Sequence, residues 1–132
     1  MNILLVEDDD LILTALSFKL KENGHTVVAA SDGSKAVDVA VENSFDLIIC
    51  DLMMPIISGA TFLSMRENFI SLDVPVIVMS SLGEGDEILK KLNINFEHFI
   101  KKPIQFEKLA SLINQIQLNT ENIKMIKSSL DN

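Results

Sequence analysis

Short apolar runs alternate with longer amphipathic stretches along most of this 132-residue chain. Each run is only a few residues long and lacks strict polar alternation, which is typical of parallel strands buried on both faces of a sheet. Five strands are therefore predicted, at Ile3–Val6, Thr26–Ala30, Leu47–Cys50, Val74–Met79 and Phe96–Ile100.

The stretches between these runs have the length and spacing of helices. In the first of them, Leu11, Ala15 and Phe18 recur at intervals of three and four residues, and Gly24 follows where a helix should end. Further helices are predicted near 34–43, 59–69, 84–92 and 105–118, with Ser34, Ser58 and Gly85 as capping or turn residues. Regular alternation of strand and helix favours an α/β fold with helices on both faces of a parallel sheet.

The composition favours a single domain and argues against two classes of partner. The chain is 48% hydrophobic and 23% charged, which is enough apolar material for one core. Its net charge of -8 would repel nucleic acid and anionic membrane surfaces, so we expect no direct nucleic-acid binding and no membrane association. The single cysteine, Cys50, rules out an internal disulfide, and a cytoplasmic location is expected.

Acidic residues follow two of the predicted strands. Glu7, Asp8, Asp9 and Asp10 follow the first strand, and Asp51 follows the third. The C-terminal ends of parallel strands form the ligand-binding edge of such a sheet, so these carboxylates should converge. Converging carboxylates require a cation or protons, and donors that are all oxygen favour Mg²⁺, Mn²⁺ or Ca²⁺ over zinc. We assign Asp9 and Asp10 to the N-terminus of the next helix instead.

A hydroxyl and an ammonium group follow the fourth and fifth predicted strands. Ser80 ends the fourth strand, and Lys101 and Lys102, followed by Pro103, end the fifth. Serine donates one hydrogen bond and lysine binds phosphate as a compact charge. Both groups would stabilise negative oxygens on a group attached at Asp51.

Four spaced motifs resemble the receiver domain of bacterial response regulators over about residues 1–118. They are Ile3-Leu4-Leu5-Val6-Glu7-Asp8-Asp9, Asp51-Leu52-Met53-Met54-Pro55 with Ser58-Gly59, Pro75-Val76-Ile77-Val78-Met79-Ser80, and Lys102-Pro103. The resemblance implies a flavodoxin-like, doubly wound parallel sheet of five strands in the order 2-1-3-4-5, with five surrounding helices. Residues 119–132 would be an extension of the last helix or a flexible tail.

The same resemblance implies a chemical role for each residue at the strand ends. Asp51 would accept a phosphoryl group from a sensor histidine kinase or a histidine phosphotransfer protein. Glu7, Asp8 and Asp51, with the main-chain carbonyl of Met53, would bind Mg²⁺, or Mn²⁺ in its place. Lys102 would neutralise charge during the transfer.

The resemblance further implies a conformational switch and an effector. Ser80 and Phe99 would move inward on phosphorylation and change a partner-binding surface formed by the predicted helix 84–92, the fifth strand and the last helix. The chain would be a monomer or a weak homodimer. Met53 and Leu82 stand where the family influences phosphoryl hydrolysis, and neither can orient a water, so slow dephosphorylation is expected.

Two alternatives remain open. The first is a receiver-like interaction module that is never phosphorylated, although all five expected side chains are present. The second is a phosphatase with an aspartate nucleophile, but such enzymes usually place a second aspartate where Met53 stands. We therefore favour a signalling domain that catalyses only its own phosphorylation and dephosphorylation over a true enzyme.

Overall fold

The computed structural model describes residues 1–54, 58–68, 70, 73–81, 91 and 98–131. Within these residues, strands and helices alternate as far as the fourth strand, and the fifth strand and the last helix follow. The strands are β1 Asn2–Val6, β2 Thr26–Ala30, β3 Leu47–Asp51, β4 Val76–Ser80 and β5 Phe99–Lys101. The helices are α1 Asp10–Glu22, α2 Gly33–Glu42, α3 Gly59–Met65 and α4 Phe106–Leu130, and a 3₁₀ turn at Arg66–Asn68 follows α3.

The five strands form one parallel sheet in the order β2-β1-β3-β4-β5. The predicted doubly wound fold and its strand order are therefore confirmed. The order reverses between β1 and β3, because the chain proceeds outward to β2 on one side and to β4 on the other. Ligands of open α/β sheets bind at such a reversal, beyond the C-terminal ends of the strands.

Buried side chains form one core cluster on each face of the sheet. Alternate residues of a strand point to opposite faces, so each central strand contributes to both clusters. Helices α1 and α4 cover one face with Leu16, Leu20, Leu109, Ile113 and Ile116. Helices α2 and α3 cover the other face with Ala36, Ala40, Phe62 and Leu63.

The apolar stripe predicted to make α1 amphipathic is not the one that packs on the sheet. Leu11 and Phe18 are 83% and 63% exposed, and Ala15 is exposed as well. Leu16 and Leu20 are the buried residues of this helix instead. Because α1 carries apolar residues on two faces, spacings of three and four residues fit both, and only contact with the sheet selects one.

Side-chain caps define where three helices begin. Asp9 caps α1, as predicted, and Ser58 caps α3, as predicted. The prediction that Ser34 caps the second helix is wrong, because Asp32 accepts a hydrogen bond from the main-chain N–H of Lys35 at 2.8 Å. A carboxylate at that position already satisfies the free N–H, so the helix begins before Ser34.

Several element boundaries differ from their predicted positions. Strand β4 begins at Val76, after the proline, and includes Ser80. Gly24 follows the end of α1 with a φ of 89°, a left-handed conformation that suits glycine and ends the helix. The last helix continues through Leu130, well beyond the predicted end at 118. None of the helices in the described ranges is long and apolar enough to cross a membrane.

Part of the sequence-based prediction lies outside the described residues. This part includes the predicted helix 84–92 apart from Lys91, the start of the predicted fifth strand at Phe96, and the residues Pro55, Leu82 and Gly85.

Candidate functional site

Three carboxylates meet at the C-terminal ends of β1 and β3. One oxygen from each of Glu7, Asp8 and Asp51 lies within 4.8 Å of the others. Val6 pairs with Cys50 in the sheet, so the residues that follow them emerge side by side. Glu7 and Asp51 are 0% and 3% exposed, whereas Asp8 is exposed. The cluster is therefore closed on the protein side and open to solvent at Asp8.

Lys102 reaches this cluster from the residue that follows β5. Its Nζ lies 2.8 Å from Oδ2 of Asp51, and 2.9 Å and 3.1 Å from Oε2 and Oε1 of Glu7. One ammonium thus contacts two of the three carboxylates, and when all four groups are ionised the cluster keeps an excess of negative charge. That excess, together with donors that are all oxygen, is suited to a hard divalent cation.

The pKa values of two residues reflect this arrangement. Burial raises the pKa of Glu7 above its ordinary value, and the negative charge of Asp51 adds to the effect. Hydrogen bonds from Lys102 and from the main-chain N–H of Asp9 oppose the rise. Burial alone would lower the pKa of Lys102, but its hydrogen bonds to Asp51 and Glu7 outweigh burial and raise it. The ammonium is therefore held in its charged form beside Asp51.

Main-chain groups fix the position of the Asp51 carboxylate. The N–H of Met53 donates a hydrogen bond to Oδ1 of Asp51 at 3.1 Å. The N–H of Leu52 donates to the carbonyl of Met79 on β4 at 3.1 Å, which continues the sheet ladder past the end of β3. The side chain of Met53 is 57% exposed and lies beside the site rather than in the core. Oδ2 of Asp51 is left to face Lys102.

Ser80 and Phe99 lie on neighbouring strands next to this cluster. Ser80 pairs with Lys101, and Phe99 pairs with Val78, two residues earlier on each strand. Side chains two residues apart share a face of the sheet, so Phe99 and Ser80 lie on the same face. Ser80 is buried, and its carbonyl accepts a hydrogen bond from the N–H of Lys102 at 2.9 Å. Phe99 is partly buried and borders a groove of about 830 Å³ beside α4.

Gly59, the first residue of α3, is a site residue whose role the sequence did not reveal. A Cβ at this position would overlap the main-chain carbonyl of Asp51 and would also press on Cα of Leu52. Only glycine lets the start of α3 lie this close to the end of β3. The pair Ser58-Gly59 was visible as part of a motif, but sequence alone does not show which backbone a glycine approaches.

The fold and this site together define a receiver-type α/β domain, with an acidic pocket and a lysine at the C-terminal edge of a parallel sheet. The chain belongs to the response regulator receiver domain family, whose sequence profile matches residues 3–114.

Relatives of known sequence support the same assignment. The chain is 34% identical over 128 residues to the probable transcriptional regulator ycf29 of Porphyra purpurea, covering 93% of this chain and 61% of that protein. It is 29% identical over 123 residues to the DNA-binding dual master transcriptional regulator RpaA of Synechocystis sp., covering 92% of this chain and 51% of that protein. The chain thus spans about half to three-fifths of the length of these curated relatives.

Solved structures show the same fold. A response regulator receiver domain protein from Clostridium thermocellum aligns with a TM-score of 0.79 and 27% identity, covering 92% of this chain and 98% of that one. The receiver domain of Francisella response regulator 1452 aligns with a TM-score of 0.78 and 27% identity, covering 90% of this chain and 98% of that one.

Proposed function

We propose that this chain is a phosphorylation-activated receiver in which Asp51 takes a phosphoryl group from a phosphohistidine. The donor would be a sensor histidine kinase or a histidine phosphotransfer protein. The observation that carries the proposal is the contact of Oδ2 of Asp51 with Nζ of Lys102 at 2.8 Å, inside a cluster of three carboxylates. A carboxylate at the open edge of the sheet, oriented by the N–H of Met53 and paired with a fixed positive charge, is suited to nucleophilic attack on phosphorus.

Mg²⁺, or Mn²⁺ in its place, is the cation that we propose for this site. Glu7, Asp8, Asp51 and the main-chain carbonyl of Met53 would hold it. The donor set supports the proposal, because it is made of oxygens, because Asp8 is accessible from solvent and because Lys102 alone does not balance the carboxylates. When bound, the ion would neutralise negative charge on the phosphoryl oxygens.

Asp51, Lys102 and Ser80 would each take part in the phosphoryl transfer. An oxygen of the Asp51 carboxylate forms a bond to phosphorus while the N–P bond of the donor histidine breaks, and the electron pair of that bond remains on the imidazole nitrogen. Lys102 interacts with the phosphoryl oxygens as they approach Asp51, and the Ser80 hydroxyl donates a hydrogen bond to one of them. The product is an acyl phosphate on Asp51.

The phosphoryl group would then shift the protein between two packings. It would draw Ser80 toward Asp51, and Phe99, on the same face of the neighbouring strand, would turn into the space that Ser80 leaves. A change at Phe99 would alter the groove between β5 and α4 and thereby the binding of a downstream effector. The named relatives are longer transcriptional regulators. We therefore infer that the signal is passed to an effector domain or effector protein that is distinct from this receiver.

The phosphatase alternative lacks the group that it requires. An acid-base residue two positions after the nucleophile would protonate the leaving group, and the side chain there is the exposed thioether of Met53. A cytoplasmic location and the absence of direct nucleic-acid binding by this chain remain predictions from its composition.

Nuclear magnetic resonance of the ¹⁵N-labelled chain tests this proposal with Mg²⁺ and then beryllofluoride, a phosphoryl analogue. In the parent, beryllofluoride should shift the amide signals of Met53, Ser80 and Phe99 only when Mg²⁺ is present. Asp51→Asn should bind no beryllofluoride and should keep its unliganded spectrum. Equal responses from both proteins, or no response from the parent, would contradict the proposal.

A further inference from the structure

The last turns of α4 carry an apolar stripe that neither the core nor the strand-end site uses. Ile123, Ile126 and Leu130 are 54%, 60% and 79% exposed. Their spacings of three and four residues place them on one face of the helix. We call these three residues the C-terminal stripe.

The C-terminal stripe continues a heptad pattern that begins inside the domain. Leu109, Leu112, Ile116 and Asn119 precede it at the same alternating intervals of three and four. Leu109 and Ile116, which are 0% and 4% exposed, anchor α4 to the sheet together with Ile113, whereas Asn119 is exposed. The second half presents the spacing by which two helices pack side by side. Because α4 is already helical and anchored to the domain, such packing would not require the costly nucleation of a new helix.

We propose that the C-terminal stripe packs against the same stripe of a second copy of this chain, as a short two-helix interface. A stripe of this spacing is complementary to itself, which is the condition for a two-fold symmetric contact. The inference does not rest on phosphorylation of Asp51.

The distribution of charge favours a second copy over a partner of opposite charge. Residues 119–131 contain two acidic residues, Glu121 and Asp131, and two basic residues, Lys124 and Lys127, so this segment is neutral. The net charge of -8 therefore lies on the rest of the chain, which repels other copies. Four residues flank the stripe on the side of a partner helix, and of these only Lys127 is charged; the others are Thr120, Asn122 and Ser129. In a parallel pair of helices, Lys127 would therefore face no other lysine across the interface.

The base of the domain offers room for side chains of the second copy. Ile123 borders a groove of about 370 Å³ whose lining is apolar at Phe45, Val74 and Pro75 and charged at Asp46, Asp73, Lys124 and Lys127. Apolar side chains of an incoming helix can enter this groove beside Ile123. The contact area is nevertheless small, so the association should be weak, dependent on concentration and stronger when salt screens the acidic domains.

Sedimentation velocity over a concentration series, without a phosphoryl donor, tests this inference. The parent should show a reversible monomer-dimer equilibrium that shifts toward dimer at higher salt. Ile126→Asp should weaken dimerisation by about tenfold or more, since it would bury a charge between two helices. Met125→Asp is the matched control, because Met125 is 68% exposed but lies off the stripe, and it should change the dissociation constant less than about twofold.

Far-UV circular dichroism should show equal helix content in all three proteins, since both substituted positions are exposed. Because the measurement uses no phosphoryl donor, its result is independent of whether Asp51 is phosphorylated. A parent that stays monomeric at every concentration, or equal weakening by Ile126→Asp and Met125→Asp, would overturn the proposal.

Discussion

Nζ of Lys102 lies 2.8 Å from Oδ2 of Asp51, which joins the ends of β5 and β3 across the intervening strand β4. The same ammonium contacts Glu7 from β1, so one positive charge bridges carboxylates from two strands. Such a charge can stabilise a phosphoryl group on Asp51, and it also keeps buried Glu7 from being an uncompensated charge.

Removal of the bridging ammonium should slow phosphorylation. We expect Lys102→Met to lower the rate of phosphorylation by acetyl phosphate by roughly 100-fold, because a fixed positive charge next to the transferred group is lost. The control is Lys101→Met, since Lys101 is exposed and is the last residue of β5, directly before Lys102. Rates from intact mass against time provide the comparison. Similar rates for Lys102→Met and the parent would show that Lys102 has only a structural role.

Asp8 should contribute to cation binding without supporting the fold. It is the exposed member of the carboxylate cluster, so Asp8→Asn should weaken Mg²⁺ binding by about tenfold at little cost in stability. The control is Asp10→Asn, in the first turn of α1 and outside the cluster. The chain has no tryptophan or tyrosine, so isothermal titration calorimetry is a better measure of affinity than intrinsic fluorescence. Equal losses in both variants would point to a general effect of negative charge.

The exposed thioether of Met53 should make the acyl phosphate long-lived. Met53 is 57% exposed beside Asp51, and its side chain cannot orient a water for attack on phosphorus. We expect Met53→Asn to lose its phosphoryl group several-fold faster than the parent after acetyl phosphate is removed, as followed by intact mass. Met125→Asn, at an exposed methionine on α4, should match the parent. Complete loss from the parent within seconds would refute the expectation.

Gly59 should be required for both stability and phosphorylation. Gly59→Ala would place a Cβ against the carbonyl of Asp51, and we expect a loss of about 1–3 kcal/mol in the free energy of unfolding. It should also slow phosphorylation, since relief of the clash displaces Asp51. Gly24→Ala is the comparison, because its cost of about 1 kcal/mol comes from a left-handed φ, with open space around the new Cβ.

Urea unfolding followed by circular dichroism gives the two stabilities, and acetyl phosphate labelling gives the two rates. If Gly24→Ala slows phosphorylation as much as Gly59→Ala does, the slower rate reflects lower stability rather than a displaced Asp51.

The strands and the strand-end carboxylates could be predicted because both depend on local sequence. A buried parallel strand is recognisable in the sequence as a short apolar run. The C-terminal ends of parallel strands lie at the same edge of the sheet, so Glu7, Asp8 and Asp51 are expected to converge there. The buried face of α1 was predicted wrongly, since Leu11, Ala15 and Phe18 also recur at helical spacing but the sheet is covered by Leu16 and Leu20. The approach of Gly59 to Asp51 was hidden for a similar reason, because it joins elements that touch only after folding.

The order of the strands and the roles of the site residues could be predicted only from the resemblance to receiver domains. Periodicity shows that strands and helices alternate, but many strand orders satisfy that alternation. The motifs around Asp51 and Lys102 supplied the order through their resemblance to receiver domains, and the sheet has that order. The roles of Ser80 and Phe99 in switching remain predictions, since they concern a second packing of the same chain.

Intact mass after incubation with acetyl phosphate and Mg²⁺ tests directly whether Asp51 accepts the phosphoryl group, with the parent and Asp51→Asn compared side by side. We expect the parent to gain the mass of one phosphoryl group, Asp51→Asn to gain none, and chelation of Mg²⁺ to prevent the gain. No gain in the parent, or an equal gain in Asp51→Asn, would contradict this expectation.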